Sequence, residues 1–291
     1  MIFFLQILVS GLATGSIYGL VAVGYSVTYT TMSVLNFGLG MWVMLGAMLG
    51  LTAYTFWGLN IVFTVAVVVA VVYALAALME RVTVHPFVMA GSSVWIMSTL
   101  AVGMLMLNGA QLIWGRDPLR FPSVVGESSI RMFGLGIYPQ ELLIIVAAVL
   151  IMLLLDVFYQ RTLTGKALRA TAFSFDTAAL MGINTDHIAR LSFGLSGCLA
   201  AVAGILIAPV TTAEATMGTV LGIKAFGIAV IGGLESPKGI FLCGILYGIL
   251  EGLLSGYLFT GIRDIVGFSL VICLLYFKPE GLFGIKSVEK L

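Results

Sequence analysis

The residues of this sequence best suited to chemistry lie in one polar segment, RTLTGKALRATAFSFDTAALMGINTDHIAR, which begins at Arg161. The segment combines basic side chains with glycines and with runs of good helix formers. Gly165 and Lys166 match the end of the nucleotide-binding signature GxxxxGK[ST], which requires serine or threonine next. Ala167 follows instead. The segment therefore forms no phosphate cradle.

The remaining reactive residue types form no catalytic or metal-binding pattern. The three cysteines, Cys198, Cys243 and Cys273, lie in apolar runs without metal or redox spacing. The two histidines, His85 and His187, lie far apart in the sequence. Basic residues are scattered rather than clustered, unlike a surface that tracks phosphates. We expect no catalytic residue, no metal, no cofactor and no nucleic-acid partner.

The composition is that of a membrane protein. Of 291 residues, 60% are hydrophobic and 9% are charged, whereas soluble domains carry roughly 25% charged residues. The mean hydropathy of +1.14 agrees. Because a bilayer core takes about 20 apolar residues per helical span, the chain has room for eight or nine spans. We predict an all-α, polytopic transmembrane helical bundle that forms a single domain over residues 1–291.

Apolar runs predict the positions of these spans. They lie near residues 5–30, 34–56, 60–79, 88–108, 140–158, 189–209, 217–234, 239–258 and 262–278. The first run is long enough to tilt or break, and its Gly11, Gly15 and Gly19 recur every fourth residue, which allows close helix packing. The glycine-rich run at 217–234 is the least regular and is a candidate for a broken or re-entrant segment, in which case eight spans remain.

The distribution of basic residues predicts the orientation of the chain. The loop at 159–188 and the tail after Phe277 are both basic, and four predicted spans separate them. Basic loops favour the cytoplasmic side, so we place both there and the N-terminus outside. The loop at 109–138 then also lies outside, despite its three arginines.

Five residues are candidates for the translocation path or for helix packing: Asn36, Gly38, Gly232, Gly233 and Glu251. Glu251 lies near the middle of a span, where an ionisable group is costly and usually faces the bundle interior. It either lines a path or partner interface, or hydrogen bonds between helices. The glycines around it recur every fourth residue, a pattern typical of close helix packing. Lys224 is expected to snorkel to the membrane interface.

Asn36 and Gly38 lie at the boundary between the first two spans. Asn36 caps either a broken helix near the path or an ordinary helix at the membrane surface. The polar segment after Arg161 similarly allows two interpretations. Gly165 and Gly182 bracket a short cytoplasmic helix–turn–helix, which is either a protein-docking element or a simple connection.

The polar segment resembles the cytoplasmic coupling loop of permeases in the branched-chain amino acid ATP-binding cassette importer family. Those loops read Gly-(Arg/Lys)-Ala-Leu-Arg-Ala and, several residues later, Ala-Ala-x-x-Gly-Ile. This chain supplies GKALRA from Gly165, then Ala178, Ala179, Gly182 and Ile183. Three further segments resemble the family in order, and the likeness spans nearly the whole chain. They are GLATGSIYGLVAVGYSVTY, IKAFGIAVIGGLESPKGIFLCGILYGILEGL and FKPEGLFG.

The resemblance implies a permease subunit in the bacterial inner membrane. It would translocate branched-chain amino acids or related small organic solutes, such as amides or aromatic acids. Its implied partners are a second related permease, two cytoplasmic ATP-binding subunits that hydrolyse ATP, and a periplasmic or lipid-anchored substrate-binding protein. The residues implied to couple it to the ATPase lie within the loop at about 159–188. They are Arg161, Gly165, Lys166, Arg169, Asp176, Ala178, Ala179 and Gly182.

One departure from the family concerns the substrate. Family members usually read Asn-Phe-Ala-His-Gly-Glu after the first span, whereas this chain reads NFGLGM from Asn36. Leu39 and Met41 thus replace a histidine and a glutamate. We expect a substrate that is less polar than a typical amino acid, or one bound without direct help from this subunit. The alternative functions are an ion-coupled secondary transporter and a membrane scaffold that transports nothing.

Overall fold

The computed structural model describes residues 2–126, 128, 130–132, 135–257, 263–278 and 281–284. The predicted all-α fold is confirmed, apart from one short hairpin of β1 (Ile130–Met132) and β2 (Leu135–Ile137). Two π-helical turns, Thr52–Phe56 and Glu80–Val84, continue α2 and α3. The helices within the described residues are α1 (Ile2–Met32), α2 (Leu39–Leu51), α3 (Ile61–Met79), α4 (His85–Met89), α5 (Trp95–Trp114), α6 (Pro139–Arg161), α7 (Leu163–Phe173), α8 (Phe175–Leu180), α9 (Thr185–Thr211), α10 (Met217–Gly232), α11 (Pro237–Tyr257) and α12 (Arg263–Phe277).

The number of membrane-crossing helices agrees with the sequence. Among the described residues, seven helices are long and apolar enough to cross a bilayer. Two shorter apolar helices, Met217–Gly232 and Asp264–Phe277, occupy the positions of the other two predicted spans. At about 1.5 Å per residue, α10 is shorter than a full bilayer core, and most of its residues are buried within the bundle.

The glycine stripes of α1 and α11 form the most extensive helix contact. These antiparallel helices meet with backbone on backbone, because a Cβ on Gly15 would lie 2.7 Å from the Gly244 carbonyl oxygen. One turn away, a Cβ on Gly11 would lie 2.9 Å from the Gly248 carbonyl oxygen. Side chains would separate the helices, so the predicted packing role of these glycines is confirmed.

The bundle has a buried centre and an apolar periphery. α1, α2, α9 and α10 supply most of the buried residues, and small residues again let their backbones approach. A Cβ on Gly46 or Gly204 would overlap Ala201 or Val43 of the facing helix. The helices α3, α5 and α6 expose long rows of apolar side chains instead. Such faces suit contact with lipid or with another membrane subunit.

One predicted span is displaced, and two possible helix breaks do not occur. The span at 88–108 is shifted, since α4 ends at Met89, Gly91 turns the chain with φ +63°, and α5 runs from Trp95. The run at 217–234 is not broken, because its glycines pack against α2 and α11 while the α-helix continues. The first run is likewise one unbroken helix.

Loop contacts define two opposite ends of the bundle. At one end, Leu119 pairs with Ala213 and Gln6 donates to the Gly136 carbonyl, which joins the loop at 109–138 to the start of α1. At the other end, the Leu282 amide donates to the Ile231 carbonyl, beside the connection between α10 and α11. The segment at 159–188 and residues 281–284 share this end, as predicted for the loop and the tail, because Leu168, Arg169 and Phe283 line one cavity. Lys286 and Lys290 of the tail lie outside the described residues.

Candidate functional site

An apolar groove beside α10 is the first candidate site, and we call it the α10 groove. Its volume is about 290 Å³. It forms where α10 meets the last third of α1, the start of α2 and the middle of α5. The α10 groove is lined by Tyr25, Phe37, Gly40, Met41, Leu100, Gly103, Met104, Leu107, Gly218, Thr219, Gly222, Ile223 and Phe226.

Close packing of α2 on α10 shapes this groove. A Cβ on Gly40 would overlap the Gly218 carbonyl oxygen and would lie 2.9 Å from the Gly222 Cα, so only glycine fits there. The Tyr25 hydroxyl donates to the Gly222 carbonyl oxygen at 3.2 Å. Phe226 packs edge-on against Tyr25, with ring centroids 5.7 Å apart. The wall is therefore apolar, rigid and partly aromatic.

The substitutions at the start of α2 affect the groove unequally. Met41 lines the groove, whereas Leu39 is fully buried and packs towards Gly24. Of the two expected determinants of substrate polarity, only Met41 lies where a ligand in the groove would touch it. Leu39 packs in the hydrophobic core instead.

Asn36 and Gly38 lie together beside the groove. The Asn36 Oδ1 accepts the Gly38 amide at 3.1 Å and so stabilises the turn into α2. The Asn36 Nδ2 is buried and has no hydrogen-bond partner among the described residues. A Cβ on Gly38 would lie 2.9 Å from the Thr99 carbonyl oxygen. Because Gly38 has no side chain, α5 packs directly against this turn. Buried unpaired amides are uncommon and often mark a functional position.

The second candidate site is a charge cluster on the opposite face of α10. Lys224 Nζ lies 2.8 Å from Glu251 Oε1 of α11 and 2.8 Å from Asp264 Oδ1 of α12. The Tyr18 hydroxyl of α1 donates to the same Glu251 oxygen at 3.3 Å. Lys224 is 2% exposed. Lys224 thus connects α10 with α11 and α12, and Glu251 extends the cluster to α1.

The charge cluster corrects one prediction and shows the contacts of a second predicted residue. Lys224 does not snorkel, because two carboxylates and the Tyr18 ring, 5.7 Å from Nζ, stabilise its charge inside the bundle. Glu251 joins helices rather than lining the α10 groove. Buried charges at membrane depth usually serve function, and here they fix the position of the helix that forms the groove.

Gly232 and Gly233 are packing residues. A Cβ on Gly232 would lie 2.5 Å from the Ile240 Cα. Gly233 turns the chain with φ +83°, and a Cβ there would lie 2.5 Å from the Gly284 amide nitrogen. Both positions let the end of α10 contact α11 and the C-terminal segment directly. Neither lines the α10 groove.

The predicted helix–turn–helix is formed by α7 and α8. Thr162 and Ser174 cap the two helices by accepting the Gly165 and Thr177 amides at 2.9 Å and 3.3 Å. Gly182 ends the unit with φ +84°, a left-handed conformation that glycine adopts at low cost. The element is therefore encoded locally, by caps at its start and glycine at its end.

The eight predicted coupling residues divide into inward and outward sets. Gly165 and Ala178 are buried within the chain, and a Cβ on Gly165 would overlap the Phe158 carbonyl oxygen. The outward set is exposed. It consists of Arg161, Lys166, Arg169, Asp176, Ala179 and Gly182. Four apolar residues beside this set are more than 80% exposed: Leu163, Phe173, Leu180 and Met181. Phe173 stands out in the sequence as an apolar residue in a polar loop, whereas sequence reasoning missed the other three.

Comparison with known proteins identifies the family. Residues 7–275 match the family model described as branched-chain amino acid transport system, permease component. The chain belongs to this permease family. It is 33% identical to the high-affinity branched-chain amino acid transport system permease protein LivH of Escherichia coli K12, over 99% of this chain and 98% of that protein. It is 32% identical to the corresponding permease BraD of Pseudomonas aeruginosa, with the same coverage.

A solved structure shares the fold. The structure described as PsaBC from Streptococcus pneumoniae in complex with Fab superposes with a TM-score of 0.51 at 16% identity. The match covers 95% of the permease and 92% of that chain. The fold, the family and the apolar helices together make this chain a multi-pass membrane permease.

Proposed function

We propose that this permease forms half of the translocation path of an ATP-binding cassette importer for branched-chain or similarly apolar amino acids. A second, related permease supplies the other half, and the complex resides in the bacterial inner membrane. Two ATP-binding subunits supply the energy, and a periplasmic or lipid-anchored binding protein delivers the substrate. The observation that carries the proposal is the α10 groove in a chain of this family.

The lining of the α10 groove supports an apolar substrate side chain. Met41, Met104, Ile223 and Phe226 present aliphatic and aromatic surface without a charged group. A branched aliphatic side chain gains free energy from burial against such a wall. Apolar amides and aromatic acids would also suit this wall. The rings of Phe37 and Phe226, whose centroids lie 5.5 Å apart, provide aromatic surface for them.

Uptake in cells tests the proposed substrate. We expect deletion of this chain to lower the initial uptake of radiolabelled leucine, isoleucine and valine at low concentration by about tenfold. Re-expression should restore uptake, and glutamate uptake should not change. Normal leucine uptake in the deletion strain would contradict the proposal, as would a selective loss of glutamate uptake.

The α7–α8 unit is the proposed entry point for ATP energy. An importer permease without a nucleotide site senses ATP only through contact with its ATPase. The unit presents Lys166 and Asp176 for polar contacts, with Arg161 just before it and strongly exposed apolar side chains beside them. An apolar patch with a charged rim suits a protein interface. The two short helices thus form the part of this face on which a partner would dock.

Substitutions at Ala179 and Gly182 test the coupling role. Ala179→Glu places an unpaired charge at the proposed interface, and Gly182→Val strains a left-handed residue by about 1–3 kcal/mol. We expect both variants to reach the membrane, to lose most uptake and to co-purify with less ATPase. Both positions are exposed, and a side chain at Gly182 would have free space around it within this chain.

Matched controls lie in the loop after α4. Ala90 is exposed, and Gly91 has φ +63° with free space around it, so Ala90→Glu and Gly91→Val repeat the two changes on the same face. We expect these controls to keep uptake and ATPase association. If Ala179→Glu and Gly182→Val behaved like their controls, the ATPase would have to dock elsewhere.

A further inference from the structure

A second cavity opens on the face of the bundle that carries α7 and α8. Its volume is about 390 Å³, within the range of about 300–1,000 Å³ that small-molecule sites occupy. The wall is mostly apolar, with Met152, Leu155, Leu168 and Phe283 among its residues. It has no residue in common with the α10 groove. We call it the cytoplasmic cavity.

Two charges at the rim of the cytoplasmic cavity neutralise each other. Asp156 Oδ1 at the end of α6 lies 3.0 Å from Lys238 Nζ at the start of α11. The other oxygen of Asp156 accepts the Gln160 amide at 2.9 Å. This ion pair joins α6 to α11 at the rim. Both oxygens of Asp156 therefore already have partners within the chain.

Two further charges at the same rim have no such partner. Arg169 of α7 and Glu235, between α10 and α11, both line the cavity and are exposed. Neither forms a hydrogen bond or an ion pair with any described residue, including the other. The cavity therefore presents one cation and one anion beside an apolar wall.

We propose that the cytoplasmic cavity binds the zwitterion of an apolar α-amino acid from the cytoplasm. Its carboxylate pairs with Arg169, its ammonium group pairs with Glu235, and its side chain packs against Leu155 and Phe283. A fatty acid would leave Glu235 without a partner, and an amine would leave Arg169 without one. That the ligand is the transported amino acid rests on the proposed function.

Binding at this cavity inhibits transport. Arg169 belongs to the unit proposed to receive ATP energy, and Glu235 directly follows the helix that lines the α10 groove. A ligand that binds both residues at once stabilises the conformation in which α7 and the α10–α11 connection are positioned as in this structure. Accumulated product thus holds the permease in one state and slows further import.

Uptake by the complete complex in proteoliposomes tests this inhibition. ATP is trapped inside, on the side of the ATP-binding subunits, with or without unlabelled leucine. We expect trapped leucine to lower the initial uptake of external radiolabelled leucine by about fivefold or more. Trapped 4-methylpentanoate lacks the ammonium group and trapped leucinol lacks the carboxylate, so neither should inhibit. Equal inhibition by either analogue would overturn the proposal.

Glu235→Gln provides the matching change in the protein. Each variant is compared with its own rate without trapped leucine, and we expect Glu235→Gln to need about tenfold more leucine for half-inhibition. Asp186→Asn, an exposed acid on the same face outside the cavity, should keep wild-type inhibition. Absence of inhibition in the wild type, or equal sensitivity of Glu235→Gln, would overturn the site.

The same vesicles separate this inference from the proposed function. Uptake without trapped leucine reports on the transported substrate alone. If leucine were not taken up while ATP hydrolysis persisted, the proposed substrate would be wrong. The effect of trapped leucine on hydrolysis, with and without Glu235→Gln, would still decide whether the cavity binds an apolar amino acid.

Discussion

Replacing Lys224 with methionine should abolish most transport and destabilise the permease. The change leaves the Glu251 carboxylate buried beside Asp264 without the cation that lies 2.8 Å from both. Removing one partner of a buried ion pair costs about 3–5 kcal/mol. We expect less than about one tenth of wild-type uptake, together with a lower melting temperature of the purified complex in detergent.

Two further variants distinguish the charge cluster from a general need for positive charge. Arg81→Met removes an exposed cation and should leave uptake and melting temperature near the wild-type values. Lys224→Met combined with Glu251→Leu removes both fully buried charges, and Asp264 at 51% side-chain exposure remains hydrated. The double variant should be more stable than Lys224→Met alone. Equal stability of the two would show that Lys224 acts without Glu251.

Thr219→Trp should block transport while leaving the complex assembled. Thr219 is exposed and lines the α10 groove, and an indole ring there would fill a substantial part of its volume of about 290 Å³. Because the residue is not buried in the core, a larger side chain disturbs packing little. We expect leucine uptake to fall by about tenfold or more, with normal recovery of the permease and ATPase on co-purification.

Val220 provides the matched control for this variant. It is the next residue of α10 and is 53% exposed, but it does not line the groove. Val220→Trp adds the same ring to the same helix and should keep uptake within about twofold of wild type. Wild-type uptake by Thr219→Trp would place the substrate path outside the α10 groove.

The spacing of glycines along α1 and α11 allowed the closely packing face of each helix to be predicted. Gly11, Gly15 and Gly19 recur every fourth residue, as do the glycines of α11, and a repeat of this length marks one helix face. The caps and the terminal glycine of α7–α8 are also local signals, so that unit could be predicted. Gly91 was a missed signal of the same kind, because its turn shifts the start of α5.

The charge cluster could not be predicted because it depends on distant pairs. Glu251 stood out as a charge within a span, but its partner Lys224 lies 27 residues away on another helix. Lys224 lies just before the apolar run at 225–234 and therefore suggested the membrane interface instead. Nothing in the sequence around Asp264 indicates that it reaches the same lysine.

The α10 groove was only partly predictable for a related reason. Asn36 and Gly38 could be singled out from their position between the first two spans, and Met41 from its departure from the family pattern. The contribution of α5 carried no signal, because Leu100 and Met104 resemble side chains that face lipid. An apolar residue that lines a path and one that meets acyl chains obey the same hydrophobic rule. Only the tertiary arrangement separates them.

ATP-dependent uptake of leucine into proteoliposomes is the most direct measurement of the proposed function. The vesicles contain this permease, its partner permease, the ATP-binding subunits and the binding protein, with ATP trapped on the cytoplasmic side. We expect radiolabelled leucine to accumulate only when hydrolysable ATP is present, and an imposed proton or sodium gradient without ATP to drive none. Accumulation driven by such a gradient in the absence of ATP would contradict the importer and favour an ion-coupled carrier.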